Sequence, residues 1–172
     1  MPERCLIVGL GNPILGDDGV GWRIADEVMR HQSRVGPHID LDVECVALGG
    51  LRLMERLIGY DRAIILDAIH TGRDPPGTVS RLSLDELSAP VAGYSNASHD
   101  TSLRTALDVG RVLGAQLPEH VTIIAVETAR EFSFSEALTP PVALAVPRAA
   151  ALALDILSQT DPWQEEAHHG VP

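Results

Sequence analysis

The sequence predicts an α/β protein: a three-layer αβα sandwich around a mostly parallel, twisted sheet of about five strands. Three observations lead there. Short apolar runs of strand length alternate with segments whose apolar residues recur at helical spacing, the pattern of repeated strand–helix units. The most hydrophobic short run, Arg62 to Ile69, is continuous rather than alternating, as in a strand covered on both faces. A glycine-rich turn joins the first strand to the first helix, a common start for parallel sheets.

The elements follow in order. Cys5 to Gly9 reads as a buried strand, and Leu10 to Asp18 as a glycine-rich loop. A helix begins at Gly19, with Val20, Ile24, Ala25 and Val28 on one face. Leu41 to Leu48 alternates apolar and polar and forms a second strand. Leu51, Leu53, Met54, Leu57 and Ile58 mark a short helix that stops at Gly59. Arg62 to Ile69 is the central strand, and Thr78 to Leu82, after Pro75-Pro76-Gly77, an antiparallel edge. Ser83 to Ala97 is irregular, broken by Pro90 and Gly93. A helix spans Thr101 to Leu113, a buried strand Val121 to Val126, and a loop Phe132 to Leu138. The last helix starts at Thr139-Pro140-Pro141, with Thr139 as N-cap, and reaches about Leu157 with a kink at Pro147. Residues 1–160 are read as one domain and 161–172 as a polar, disordered tail.

Composition narrows the chemistry. The 172 residues carry 13 basic and 24 acidic side chains, a formal net charge of −11, and every basic residue is arginine. Without lysine there is neither P-loop nor Schiff-base chemistry. The acidic balance argues against a nucleic-acid partner. No signal peptide precedes the first apolar run, and no apolar run approaches the ~20 residues of a membrane span, so a cytoplasmic protein without a membrane is expected. Cys5 and Cys45 lie inside apolar runs and read as small buried hydrophobes. No Gly-x-Ser-x-Gly elbow is present.

The loop after the first strand runs Leu6-Ile7-Val8-Gly9-Leu10-Gly11-Asn12-Pro13-Ile14-Leu15-Gly16-Asp17-Asp18-Gly19-Val20-Gly21. Its spacing is wrong for a dinucleotide turn: Ile14 stands where the third glycine belongs. Asp17 and Asp18 also place two carboxylates where a phosphate would sit. Taken singly, Asp17 is an N-cap and Asp18 an acid favoured by the helix dipole. In open α/β sheets ligands bind beyond the carboxyl ends of the strands. Asp18 follows the first strand there. Asp67 lies in the apolar run Ile64-Ile65-Leu66-Asp67-Ala68-Ile69, where a carboxylate is costly unless paired, protonated or bound to a cation. His99, just before a helix, completes a set of one imidazole and two carboxylates, suited to a divalent transition metal. His70 is a rival ligand.

These motifs resemble the hydrogenase maturation proteases, from Cys5 to about Leu157. The most specific element is Gly9-Leu10-Gly11-Asn12 with Asp17-Asp18-Gly19-Val20-Gly21; the others are Asp67-Ala68 ending an apolar strand, Ser98-His99, and Leu138-Thr139-Pro140. The resemblance implies a metal-dependent, aspartic-type endopeptidase that trims the C-terminal extension of a nickel–iron hydrogenase large-subunit precursor. Asp18, Asp67 and His99 would bind nickel supplied by that precursor rather than a resident cofactor. Asp18 and Asp67 would be catalytic, and Gly9, Gly11, Asn12, Asp17 and Gly19 would shape the loop. The chain departs from the family at Ala47-Leu48-Gly49-Gly50-Leu51, which has neither the aspartate near Leu48 nor the threonine at Leu51 that many relatives carry. Asp100 also replaces a small or polar residue, and His168-His169 in the tail is incidental. Relatives suggest a monomer. The competing reading is a non-catalytic nickel-site-sensing or chaperone module on the same sheet.

Overall fold

A computed structural model of the chain describes residues 1–84, 100–129 and 134–159. Five strands form one sheet: β1 (Glu3–Leu10), β2 (Ile39–Val46), β3 (Arg62–Ile69), β4 (Val79–Ser83) and β5 (His120–Glu127). Their order is β2-β1-β3-β5-β4. All neighbours are parallel except β4, which pairs antiparallel with β5 at the edge, from Val79 opposite Val126 to Ser83 opposite Thr122. The antiparallel edge read from the Pro75-Pro76-Gly77 turn is therefore present.

Among the described residues the α-helices are α1 (Val20–Arg30), α2 (Gly50–Arg56), α3 (Asp100–Val112) and α4 (Pro140–Ser158). They cover both faces of the sheet. Cys5, Ile7, Ile64, Leu66, Ile124 and Val126 point to one side and pack with α1 and α4. Leu6, Val8, Ala63, Ile65 and Ile123 point to the other and pack with α2 and α3. The alternation along each strand is what allows one apolar run to feed two cores. Leu66, Ile64 and Leu6 are fully buried, and each such side chain contributes ~1.5–3 kcal/mol.

Two expectations are adjusted, those for the second strand and for the apolar length of the last helix, whose extent is as the sequence predicts. The second strand starts and ends two residues earlier than the alternation predicts, because its parallel register with β1 runs from Glu3–Ile39 to Leu10–Val46; Ala47 to Gly49 then turn into α2. The last helix continues through Pro147 to Ser158 as one element. That helix is also long and apolar enough, by length and composition, to cross a membrane, which the reading of apolar runs missed because Pro140, Pro147 and Arg148 interrupt it. Here Val142, Ala145, Ala149, Ala153, Ile156 and Leu157 are buried in the core on α4. The irregular segment after Ser83 and the tail 161–172 lie mainly outside the described residues.

Arg62 anchors the amino end of the sheet. It is buried, donates from Nη2 to Glu3 Oε2 at 2.7 Å, and from Nη1 to the Ile156 carbonyl at 3.1 Å. This ties β3 to β1 and to the last turn of α4, far along the strands from Asp67.

Candidate functional site

The strand order reverses between β1 and β3: the chain leaves β1 towards β2 on one side and returns in β3 on the other. That crevice is where open α/β sheets hold ligands. The last β1–β3 pair is Gly9 with Leu66. β3 continues against β5 as far as Ile69 opposite Glu127. Asp67 is thus the first residue of β3 beyond its pairing with β1, at a step in the carboxyl end of the sheet. It is half-buried, its Oδ1 accepts from the Ala68 N–H at 2.8 Å, and it makes further interactions. Alternation puts it on the same face as Ile65 and Ile69, the side of α2 and α3.

A 3-10 turn, Gly16–Gly19, fills the step and packs on β3. It carries Asp18 to the same end of the sheet as Asp67. Asp18 Oδ2 accepts from the Asn12 N–H at 2.7 Å, while Asn12 Oδ1 accepts from the Ile14 N–H at 3.2 Å. The loop from Asn12 to Asp18 is thereby closed on its own carboxylate.

The glycines make this closure possible by close approach. A Cβ on Gly9 would stand 2.6 Å from the Gly21 carbonyl oxygen, and one on Gly21 would collide with the carbonyls of Leu66 and Leu10. A Cβ on Gly19 would meet Pro13 Cα at 2.8 Å. Gly11 has φ 114° and lies against the Asp18 carbonyl. The glycine-rich loop is therefore built for helix-on-strand packing. No side chain caps α1, whose N-cap is Gly19.

Asp17 corrects two readings. It is not the N-cap of α1. It is buried, and its Oδ1 accepts from the Thr139 N–H while its Oδ2 accepts from the Thr139 hydroxyl, both at 2.7 Å. Thr139 occupies the N-cap position of α4, but its side chain makes no cap bond; its hydroxyl donates to Asp17 instead. Beside this contact the Gly16 N–H donates to the Ser135 carbonyl at 2.6 Å and the Ser135 N–H to the Ile14 carbonyl at 3.0 Å.

Sequence reasoning missed Glu127. Like Asp67, it lies towards the carboxyl end of an apolar strand, Ile123-Ile124-Ala125-Val126-Glu127, so the same signal was present. It is 2% exposed and accepts from the Thr71 N–H, the Thr71 hydroxyl and the Gly72 N–H at 2.7, 2.8 and 2.9 Å. Backbone donors satisfy this carboxylate, and its work is to hold the turn after β3. His70 Nδ1 sits 2.8 Å from the Thr128 carbonyl, an N–H donor contact that fixes the ring. By alternation it lies on the α1 and α4 face, opposite to Asp67.

His99 lies outside the described residues. The helix α3 (Asp100–Val112) packs on the face that carries Asp67. Among the described residues no three of His, Cys, Asp and Glu stand together as a metal cluster. Burial pushes both thiols up, Cys45 to about 11 with help from the Asp26 carboxylate. Neither is an activated nucleophile.

Fold and site define the class: a doubly wound α/β protein with the carboxylates of Asp18 and Asp67 at the carboxyl end of the sheet, by the strand switch point. The chain belongs to the hydrogenase maturation protease family, whose model matches residues 43–156. It is similar to the hydrogenase expression/formation protein HupD of Thiocapsa roseopersicina, 28% identical over 90% of this chain and 67% of the relative. It is also similar to the hydrogenase 2 maturation protease of Escherichia coli strain K12, 28% identical over 72% of each chain. In fold it resembles the hydrogenase maturating endopeptidase HybD from E. coli, with a TM-score of 0.68 at 24% identity over 90% of this chain and 91% of that one.

Proposed function

We propose that this endopeptidase removes the C-terminal extension of a nickel-loaded nickel–iron hydrogenase large-subunit precursor, using Asp18, Asp67 and His99. Family membership supplies the reaction class. The observation that carries the assignment of residues is the step in the sheet, where Asp67 emerges past β1 and the Asp18 turn packs on the same strand. Two carboxylate oxygens and an imidazole nitrogen are donors suited to nickel, so the residues fit a metal that arrives with the substrate. The precursor's nickel supplies polarisation of the scissile carbonyl. One carboxylate takes a proton from water as the C–O bond forms, and that proton passes to the departing amine as the C–N bond breaks. No resident cofactor is needed. The enzyme acts as a monomer in the cytoplasm.

The test is cleavage of purified precursor with and without nickel. Nickel-loaded precursor is expected to be cut and nickel-free precursor left intact; equal cutting of both overturns metal recognition. Asp67→Asn should lower processing at least ~100-fold, since a metal-binding carboxylate is lost. A sensing or chaperone module predicts no change, and wild-type rates in that variant would remove the proteolytic role of Asp67.

A further inference from the structure

The molecule places two adjacent acids in the same turn but aims them apart, and only one is accounted for by the proposed reaction. In a 3-10 turn successive side chains stand about 120° apart. Asp18 turns towards Asn12 and Asp17 towards the start of α4. We propose that Asp17 is a positioning residue, a latch that holds the Asp18 turn against the entrance of α4 through Thr139. The inference rests on the assignment of Asp18 to the reaction.

Three features support it. Both Asp17 oxygens are engaged by one residue, at 2.7 Å each, so the contact fixes orientation as well as distance. Asp17 is 7% exposed, which shields the pair from water. The neighbouring backbone repeats the connection: Gly16 and Ile14 bond to Ser135, and Arg23 Nη2 donates to the Glu136 carbonyl at 2.9 Å. The 134–139 segment thus forms the outer wall of the turn. A carboxylate that must meet a metal already held by another protein gains from such a fixed wall, because small displacements at the reacting atoms are expensive in rate.

The latch depends on hydrogen bonds rather than charge. In Asp17→Asn the amide oxygen still accepts from the Thr139 N–H and the amide nitrogen donates to the Thr139 hydroxyl. In Asp17→Ala both bonds vanish, and in Thr139→Val one does. Processing of nickel-loaded precursor should stay within about threefold of wild type in Asp17→Asn and fall about tenfold or more in kcat in Asp17→Ala, with KM little changed. Thr139→Val should fall between them. Amide exchange over residues 12–18, read on the free enzyme, should quicken in Asp17→Ala and Thr139→Val and stay slow in Asp17→Asn. If Asp17→Asn is as inactive as Asp17→Ala while its exchange stays slow, Asp17 acts as a charge and the latch is overturned. Unchanged exchange in both Asp17→Ala and Thr139→Val overturns it as well. Asp18→Ala is the separate arm: full processing there removes the assignment of Asp18, whatever the exchange of the Asp17 variants shows.

Discussion

Cys45 stands in β2 opposite Gly9, close to the glycine-rich loop but chemically quiet. Its thiol is raised to about 11 by burial and by the Asp26 carboxylate. Near pH 8 the thiolate fraction is then about two orders of magnitude below that of a free cysteine. Alkylation by iodoacetamide at pH 8 should be correspondingly slow in the native protein and fast after denaturation, and should recover as the pH approaches the raised value. Rapid native labelling of Cys45 at pH 8 contradicts the burial argument. Asp17 and Asp18 show how little residue type decides. Both are aspartates in one turn, yet the partner of Asp17 lies 122 residues away. No local pattern could announce that contact, so the N-cap reading was the natural local one. Glu127 makes the complementary point. It carries the same signal as Asp67, an acid near the carboxyl end of an apolar strand, but two backbone N–H groups and the Thr71 hydroxyl satisfy it.

At the scale of elements, the joint between β1 and α1 is set by absent side chains. Gly21 lets α1 approach the carbonyls of Leu66 and Leu10 closely enough that a Cβ would collide with both. Gly21→Ala should cost about 3 kcal/mol or more, because rigid backbone is in the way and α1 must move off the sheet. Gly72 is a useful contrast: it has φ 68° and open space around its Cβ position. Gly72→Ala should cost only about 1–2 kcal/mol, from left-handed backbone strain alone. Urea unfolding of both variants checks the difference, and equal losses would argue against the packing explanation. The helix starts are less legible. Thr139-Pro140 marks the first turn of α4 correctly, but the Thr139 hydroxyl makes no cap bond and donates to Asp17 in the 3-10 turn.

For the whole molecule, the sheet order puts β1, β3 and β5 in the interior, with helices on both faces, and leaves β2 and β4 at the edges. Native-state hydrogen exchange should therefore be slowest in β1, β3 and β5, which open only with global unfolding, and faster in β2 and β4. Protection in β4 equal to that in β3 would contradict this core. The same arrangement separates a structural ion pair from the proposed site along the strands. Arg62 and Glu3 lock the amino end, whereas Asp67 and the Asp18 turn occupy the carboxyl end, where helix α1 begins.

The sequence by itself determined the class of fold, the identity of the strands and the glycine-rich loop after β1, because apolar periodicity, turn residues and the Gly-Asn and Asp-Asp-Gly motifs are local. It also singled out Asp67, since a carboxylate in an apolar run is costly wherever the strand lies. The tertiary structure decided where β2 ends, which of two strand-end acids is satisfied by backbone donors, and that Asp17 bonds to Thr139 instead of capping α1. Those outcomes depend on strand register and on contacts across the chain, and a hydrogen-bond partner more than a hundred residues away leaves no trace in local spacing.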